Sequence, residues 1–274
     1  TKGVRLSDLY FTDKLNHAKD HLDYFRKHSK TNGFKALELG SGWYPVVPVA
    51  LFLAGAEEIV SIDVSSLMKR KGILQTLKKF LEWYEQGKLE MLEPFIQESR
   101  IQKLKELNDS VLSKKELLKE LHLKLQVRDA RNTGFEADHY DLICSNNTFE
   151  HIYPVILKPI IQEFQRILRP GGIMSHFIDM SDHFAHLDDS ISIYNFLQYS
   201  EKKWARIDNT VQPQNRLRLK DYREMYQELN ITVIDEKIRP GSVETVQQAV
   251  LHSDYSQYSA EEIAISHAHL VSTK

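Results

Sequence analysis

The run Phe34 to Leu39, closing on Gly40-Ser41-Gly42, constrains this chain more than any other feature. A short apolar run ending at Gly-x-Gly reads as a buried parallel strand entering a tight turn, because neither glycine carries a side chain to block close approach or forbid positive φ. Pro45 and Pro48 fall where the first turn of a helix tolerates a missing amide, and Val49 to Ala54 continues to Gly55 as a cap. Ile59 to Val64 is a second strand, rich in β-branched residues, with Asp63 near its carboxyl end. Strand, helix, strand is the βαβ unit.

The alternation continues. A polar helix over 12–29, with Leu15, Ala18, Leu22 and Phe25 at helical spacing and Asn32-Gly33 as its stop, leads into the first strand. Residues 66–122 form a charged helical insertion in which Leu104, Leu107, Val111, Leu118 and Leu121 make one stripe. Leu123 to Val127 is the third strand, ending at Asp129-Ala130, and His139 to Ser145 the fourth, ending at Asn146-Asn147. Ile156, Ile160, Phe164 and Ile167 stripe a helix that Arg169-Pro170-Gly171-Gly172 terminates before the strand Ile173 to Ile178. A partly helical cap follows at 180–215. The chain then reads as a helix at Lys220 to Leu229, a strand at Ile231 to Ile238, a loop, and a last strand at Ile263 to Val271. The expectation is an α/β fold, a mostly parallel seven-stranded sheet flanked by helices in a single domain over 1–274.

In such a sheet ligands sit beyond the carboxyl ends of the strands. Asp63 lies 21 residues beyond Gly42, the spacing at which an acid chelates ribose hydroxyls. A nicotinamide dinucleotide prefers a third glycine where this chain has Pro45, which has no amide to offer a pyrophosphate, so a dehydrogenase is disfavoured. Five segments in order resemble the class I S-adenosylmethionine (SAM)-dependent methyltransferases, a Rossmann-like family: Ala36 to Gly42, Ile62-Asp63-Val64, Arg128-Asp129-Ala130, Tyr140 to Asn146 with Glu150-His151-Ile152, and Leu168 to Gly172. The resemblance implies SAM as cofactor, with Glu38, Gly40, Ser41 and Gly42 around its methionine portion. It also implies Asp63 and Val64 at the ribose, Asp129 and Ala130 at the adenine, and Asn146 as a further contact.

A hydroxyl acceptor needs a base within hydrogen-bond reach, or a metal that lowers its pKa. His151 follows the fourth strand, and His176, Asp179, Asp182, His183 and His186 follow the fifth. His151, Asp179 and His183 are the catalytic candidates, with Asp182, His186, Tyr194 and Asn195 for the acceptor. The His and Asp spacing matches no closed metal motif, so no metal is assigned. The run Ile178 to His186 with Asn195-Phe196-Leu197 and Trp204 resembles a bacterial methyltransferase branch of glycan and secondary-metabolite pathways.

A net charge of −2 leaves no basic excess for phosphates, favouring a small-molecule acceptor over nucleic acid. The one cysteine, Cys144, excludes an intramolecular disulfide, and the longest apolar stretch, Val46 to Ala56, is too short to span a bilayer. A cytoplasmic biosynthetic methyltransferase acting on a hydroxyl or amine is therefore expected, without membrane partners and with room for a homodimer. A SAM-using enzyme that transfers or cyclises the aminocarboxypropyl arm, and a silent SAM-binding interaction protein, remain alternatives.

Overall fold

Strand β1 (Phe34–Leu39) pairs in parallel with β2 (Ala56–Asp63) on one side and β4 (Tyr140–Asn146) on the other. β2 pairs in parallel with β3 (Leu123–Val127). With β5 (Leu168–Asp179), β6 (Thr232–Pro240) and β7 (Ile265–Thr273), these form one seven-stranded sheet of order β3-β2-β1-β4-β5-β7-β6 in the computed structural model, which describes residues 5–29, 31, 33–208 and 213–274. β6 and β7 are antiparallel, giving the mostly parallel sheet the sequence implies. The order reverses between β1 and β4, the place where such sheets bind ligands.

The chain divides into two compact units, one comprising the described residues of Thr1–Asn146, Glu163–Ser175 and Lys274, the other Asn147–Gln162 and His176–Thr273. In the first unit, α1 (Asp8–His28) begins before residue 12, because the Ser7 side chain accepts a hydrogen bond from Tyr10 N and caps it. It buries Phe11, Leu15, Ala18, Leu22 and Phe25, with Phe11 edge-on to Phe80 and Trp83. Of its expected stop, Asn32 lies outside the described residues. α2 (Val46–Leu53) is buried at every position, as a helix that is apolar all round must be.

The insertion resolves into α3 (Arg70–Glu85), α4 (Glu98–Asn108) and α5 (Lys114–Glu120), the last opened by a Ser113/Glu116 capping box. Its single stripe is corrected. Val111 falls between α4 and α5 and is 98% exposed, and Leu117 rather than Leu118 is the fully buried leucine of α5. The break resets the helical phase, so a period read across it selects the wrong residues.

Helix α6 (Pro154–Ile167) buries Leu157, Ile160, Ile161, Phe164 and Ile167, while Ile156 is exposed. Arg169 to Gly172 belong to β5 rather than to a terminating turn: His139 N donates to Ile167 O, and a Cβ on Gly172 would meet the Asp141 carbonyl at 2.9 Å. Backbone approach, not capping, is what Gly172 provides there.

In the second unit, the described part of the cap comprises two 3-10 turns (His183–His186 and Asn195–Gln198) and α7 (Glu201–Ile207), whereas residues 209–212 of the expected cap lie outside the described residues. α8 (Leu219–Glu228) precedes the β6–β7 ribbon. The segment read as a loop between those strands contains α9 (Val243–Gln248) and α10 (Ala260–Ala264), capped by Ser242 and Ser259. Tyr194, Phe196, Leu197, Trp204, Val246, Tyr255 and Ile263 form this unit's apolar cluster.

Candidate active site

In the first unit, the carboxyl ends of β1 and β2 place the sequence-predicted acids together. Glu38 pairs in register with Ser61 on β2 and Cys144 on β4, and accepts a 2.6 Å hydrogen bond from Ser61 Oγ. Burial pushes its carboxyl up to about 7, against the opposing pull of the Ser61 hydroxyl. Asp63 is held at both oxygens: Oδ2 accepts from Ser41 N at 3.0 Å and from Ser41 Oγ, while Oδ1 accepts from Ser65 N and Oγ. Gly40 N donates to Ile62 O, closing the turn onto β2.

Gly40 and Gly42 have φ of +94° and +52°, and a Cβ on Gly42 would meet nothing within 4 Å. The turn therefore needs glycine at 42 for its backbone conformation, and space opens over it. Arg128 N donates to Asp63 O, which sets the end of β3 beside that of β2.

Three cofactor candidates stand differently from a simple cradle. Asp129 is engaged by the Arg131 guanidinium at both oxygens, and these bonds hold its carboxyl down at about 2. Val64 is 87% exposed, whereas Ala130 is buried. Asn146 Oδ1 is bonded by Nε2 of the buried His21, whose Nδ1 meets Ser175 Oγ at 2.7 Å.

Helix α1 contributes to this end of the sheet in a way the sequence did not reveal. Lys14 acts electrostatically on Glu38, and Tyr10 packs edge-on to Tyr44 in the loop after Gly42. Reading the helix from residue 12 hid Tyr10; the Ser7-Asp8 pair ahead of it was the available capping signal.

In the second unit, the Asp179 carboxylate gathers three imidazoles. His183 Nε2 lies 3.4 Å and His186 Nε2 3.9 Å from Oδ2, and His267 Nε2 lies 3.4 Å from Oδ1. Ser181 donates to Oδ1 from both N and Oγ, at 2.8 and 2.6 Å. Burial alone would favour the neutral acid, but the neighbouring imidazoles of His183, His186 and His267 outweigh it and hold Asp179 far below the usual carboxylate range. The same carboxylate raises the pKa of His186.

His151 packs edge-on to His183, with ring centroids 5.0 Å apart. Its Nδ1 lies 2.7 Å from the Pro213 carbonyl, which can only accept, so the proton sits on Nδ1 and the neutral ring carries its lone pair on Nε2. Burial lowers the His151 pKa despite that bond, favouring this neutral form. Glu150, His151 and His183 bring one ligand atom each within 4.8 Å of one another.

The acceptor candidates separate. Asp182 is fully buried and caps the turn at Phe184 N, and Asn195 donates to its other oxygen. Tyr194 lies in the apolar cluster, with its hydroxyl donating to Ala264 O. His186 alone of the four lies at the imidazole cluster, with a side chain 57% exposed.

Two participants lay outside the local motif. Gln214 accepts from His183 N and donates to Ser181 O, so one buried amide fixes both turns of the cluster. His267 arrives from β7; its signal was a pair of histidines, His267 and His269, at alternate positions of a strand that also carries Ile265, Ala268, Leu270 and Val271.

Residues 104–175 match a family described as a methyltransferase domain. The matched segment runs from α4 into β5, beyond the glycine turn and Asp63. No curated protein sequence matches the chain significantly. Among solved structures, one assigned as a sarcosine dimethylglycine methyltransferase from Galdieria sulphuraria superimposes with a TM-score of 0.51 at 13% identity, covering 95% of this chain and 84% of its own. The CurJ carbon methyltransferase gives 0.50 at 13% identity, covering 98% of this chain and 56% of its own.

Phosphoethanolamine N-methyltransferase 2 of Haemonchus contortus, solved with SAM, gives 0.50 at 15% identity, covering 94% of this chain and 52% of its own. The chain thus spans about half the length of these last two structures. At such identities the likeness establishes the fold, the Rossmann-like class I arrangement. The domain match and the fold together support a SAM-dependent methyltransferase. No helix among the described residues is long and apolar enough to cross a membrane.

Proposed function

We propose that this protein transfers a methyl group from SAM to a hydroxyl or amine of a small polar acceptor, of the kind met in glycan or secondary-metabolite biosynthesis in the cytoplasm. The observation that carries this reading is the convergence of Glu38, the open glycine turn and a fourfold-held Asp63 at the ends of β1 and β2. These residues fit the cofactor: the space over Gly42 accepts its methionine portion, and ribose hydroxyls would take the places of the two long hydroxyl contacts that Ser41 Oγ and Ser65 Oγ make to Asp63, at 3.3 and 3.4 Å. SAM supplies a methyl already activated on a sulfonium.

The chain must hold an acceptor and take its proton. His151 is the base of this reading, with its lone pair on Nε2 and its orientation fixed by Pro213. Asp179 and His183 support and orient that histidine's surroundings, and His186 contacts the acceptor. The roles of Asp182, Tyr194 and Asn195 are to shape this wall from behind, since their polar atoms are engaged within the protein. Two of the similar structures bear the names of small amine acceptors, which accords with this reading, as does a net charge of −2.

The test is calorimetry with SAM, then product analysis with candidate acceptors. Binding of SAM and release of S-adenosylhomocysteine is the expected outcome. Release of methylthioadenosine would redirect the reading to aminocarboxypropyl transfer, and absence of any binding heat would overturn it.

A further inference from the structure

We infer that Asp179, His183 and His186 form a binding site for a divalent transition-metal cation of the Zn2+ or Fe2+ type, an inference that rests on the second unit being the acceptor side proposed above. The three offer one ligand atom each, and all three atoms lie within 4.8 Å of one another. Two imidazole nitrogens and one carboxylate oxygen are the donor set such cations take, and three protein ligands leave further positions open.

The distances favour coordination over direct hydrogen bonding. His183 Nε2 stands 3.4 Å and His186 Nε2 3.9 Å from Asp179 Oδ2, longer than a good N–H···O bond. Ligands bound tetrahedrally at about 2.0 to 2.1 Å stand about 3.3 Å apart, so the His183–Asp179 edge already has the required length. The His186 edge needs only a small closing movement, and its side chain is the exposed one of the set.

The surroundings are those of an oriented ligand. Oδ1, the oxygen turned away from His183 and His186, is held by Ser181 N, Ser181 Oγ and His267. A carboxylate fixed at one oxygen by two short hydrogen bonds from Ser181 and flanked there by the His267 ring presents the other in a defined direction, which is what metal sites ask of their outer shell. Gln214 fixes the backbone of His183 and the carbonyl of Ser181, so the turn bearing two ligands is tied to the segment that follows the third. The sequence spacing gave no closed motif because two ligands sit in a short 3-10 turn and the third ends a strand.

Coordination also divides labour within the second unit. Held by three protein ligands, the cation would lower the pKa of an acceptor hydroxyl taking an open position. His151 remains outside the ligand set, with its Nδ1 on Pro213.

The experiment is titration of the chelator-treated full chain with Zn2+ by calorimetry and with Co2+ by visible absorption, alongside SAM binding on the same samples. One equivalent of metal per chain is expected, with Co2+ giving tetrahedral-type bands. His186→Ala and His183→Ala should weaken binding at least tenfold, and His267→Gln roughly tenfold through the lost support of Oδ1. His252→Ala, remote from the cluster, should leave it unchanged. His186 is exposed enough that its variant keeps the fold, which SAM binding reports independently. Failure of wild type to bind either ion while still binding SAM would overturn the metal site and leave the proposed function standing; equal metal binding by wild type and His186→Ala would also overturn it. Loss of SAM binding in wild type would instead count against the functional reading.

Discussion

Glu38 shows how a single buried acid couples stability to pH. Its folded pKa of about 7 exceeds the ordinary value of 4.5, so its contribution to stability is complete below about 4.5 and is lost as pH rises through about 7. Glu38→Gln should therefore match wild type in urea unfolding at pH 5 and exceed it by about 3 kcal/mol at pH 8.5, while binding SAM more weakly. Equal stability differences at the two pH values would contradict the assigned burial cost. Gly42 offers a complementary experiment. Gly42→Ala places a Cβ at φ +52° in otherwise open space, so about 1 kcal/mol of stability should be lost, against a drop of tenfold or more in SAM affinity. A loss of stability without a loss of affinity would mean that no ligand approaches this turn.

At the scale of elements, Arg218 joins the segments of the second unit. It is fully buried, and its guanidinium donates to the carbonyls of Met180, Ile263 and Ile265, linking the start of α8 to the end of β5 and to the α10–β7 junction. Both terminal nitrogens are bonded while the buried Nε has no hydrogen-bond partner among the described residues, and removing the side chain strands three acceptors. Arg218→Met should cost about 3 kcal/mol or more in chemical unfolding. A cost below about 1 kcal/mol would show that water or side chains replace the donor readily. His267 is carried by the same junction, so weakened metal binding in this variant is a further expected outcome.

For the whole molecule, ligand linkage gives the broadest check. A ligand that binds only the folded state at about 100 times its Kd stabilises by about 2.7 kcal/mol. S-adenosylhomocysteine at that excess should raise the thermal midpoint, and the rise should be largely absent in Gly42→Ala at the same ligand concentration. An equal rise in both would place the nucleoside elsewhere. The domain match covers residues 104–175 and begins past β2, so this measurement addresses the part of the cofactor site that the match does not reach.

The amino-acid order was enough to specify the strands and the turn. Phe34 to Gly42 and Ile59 to Val64 carry local signals, apolar runs closed by glycine or acid, and strands are observed there, the second beginning earlier, at Ala56, and ending at Asp63. The positions of Glu38, Asp63 and the glycines were legible because each lies at a strand end, the part of such a sheet that faces ligands. What distant contacts settle was not legible. Tyr194 is claimed by the Ala264 carbonyl and Asp182 by Asn195, outcomes that depend on which remote partner comes close, whereas Asp129 is claimed locally by Arg131 two residues on. His267 reaches Asp179 across 88 residues of sequence, and no local period records such a meeting. Backbone form follows from short-range preferences, whereas the pairing of polar side chains is fixed only when the folded chain brings remote segments into contact.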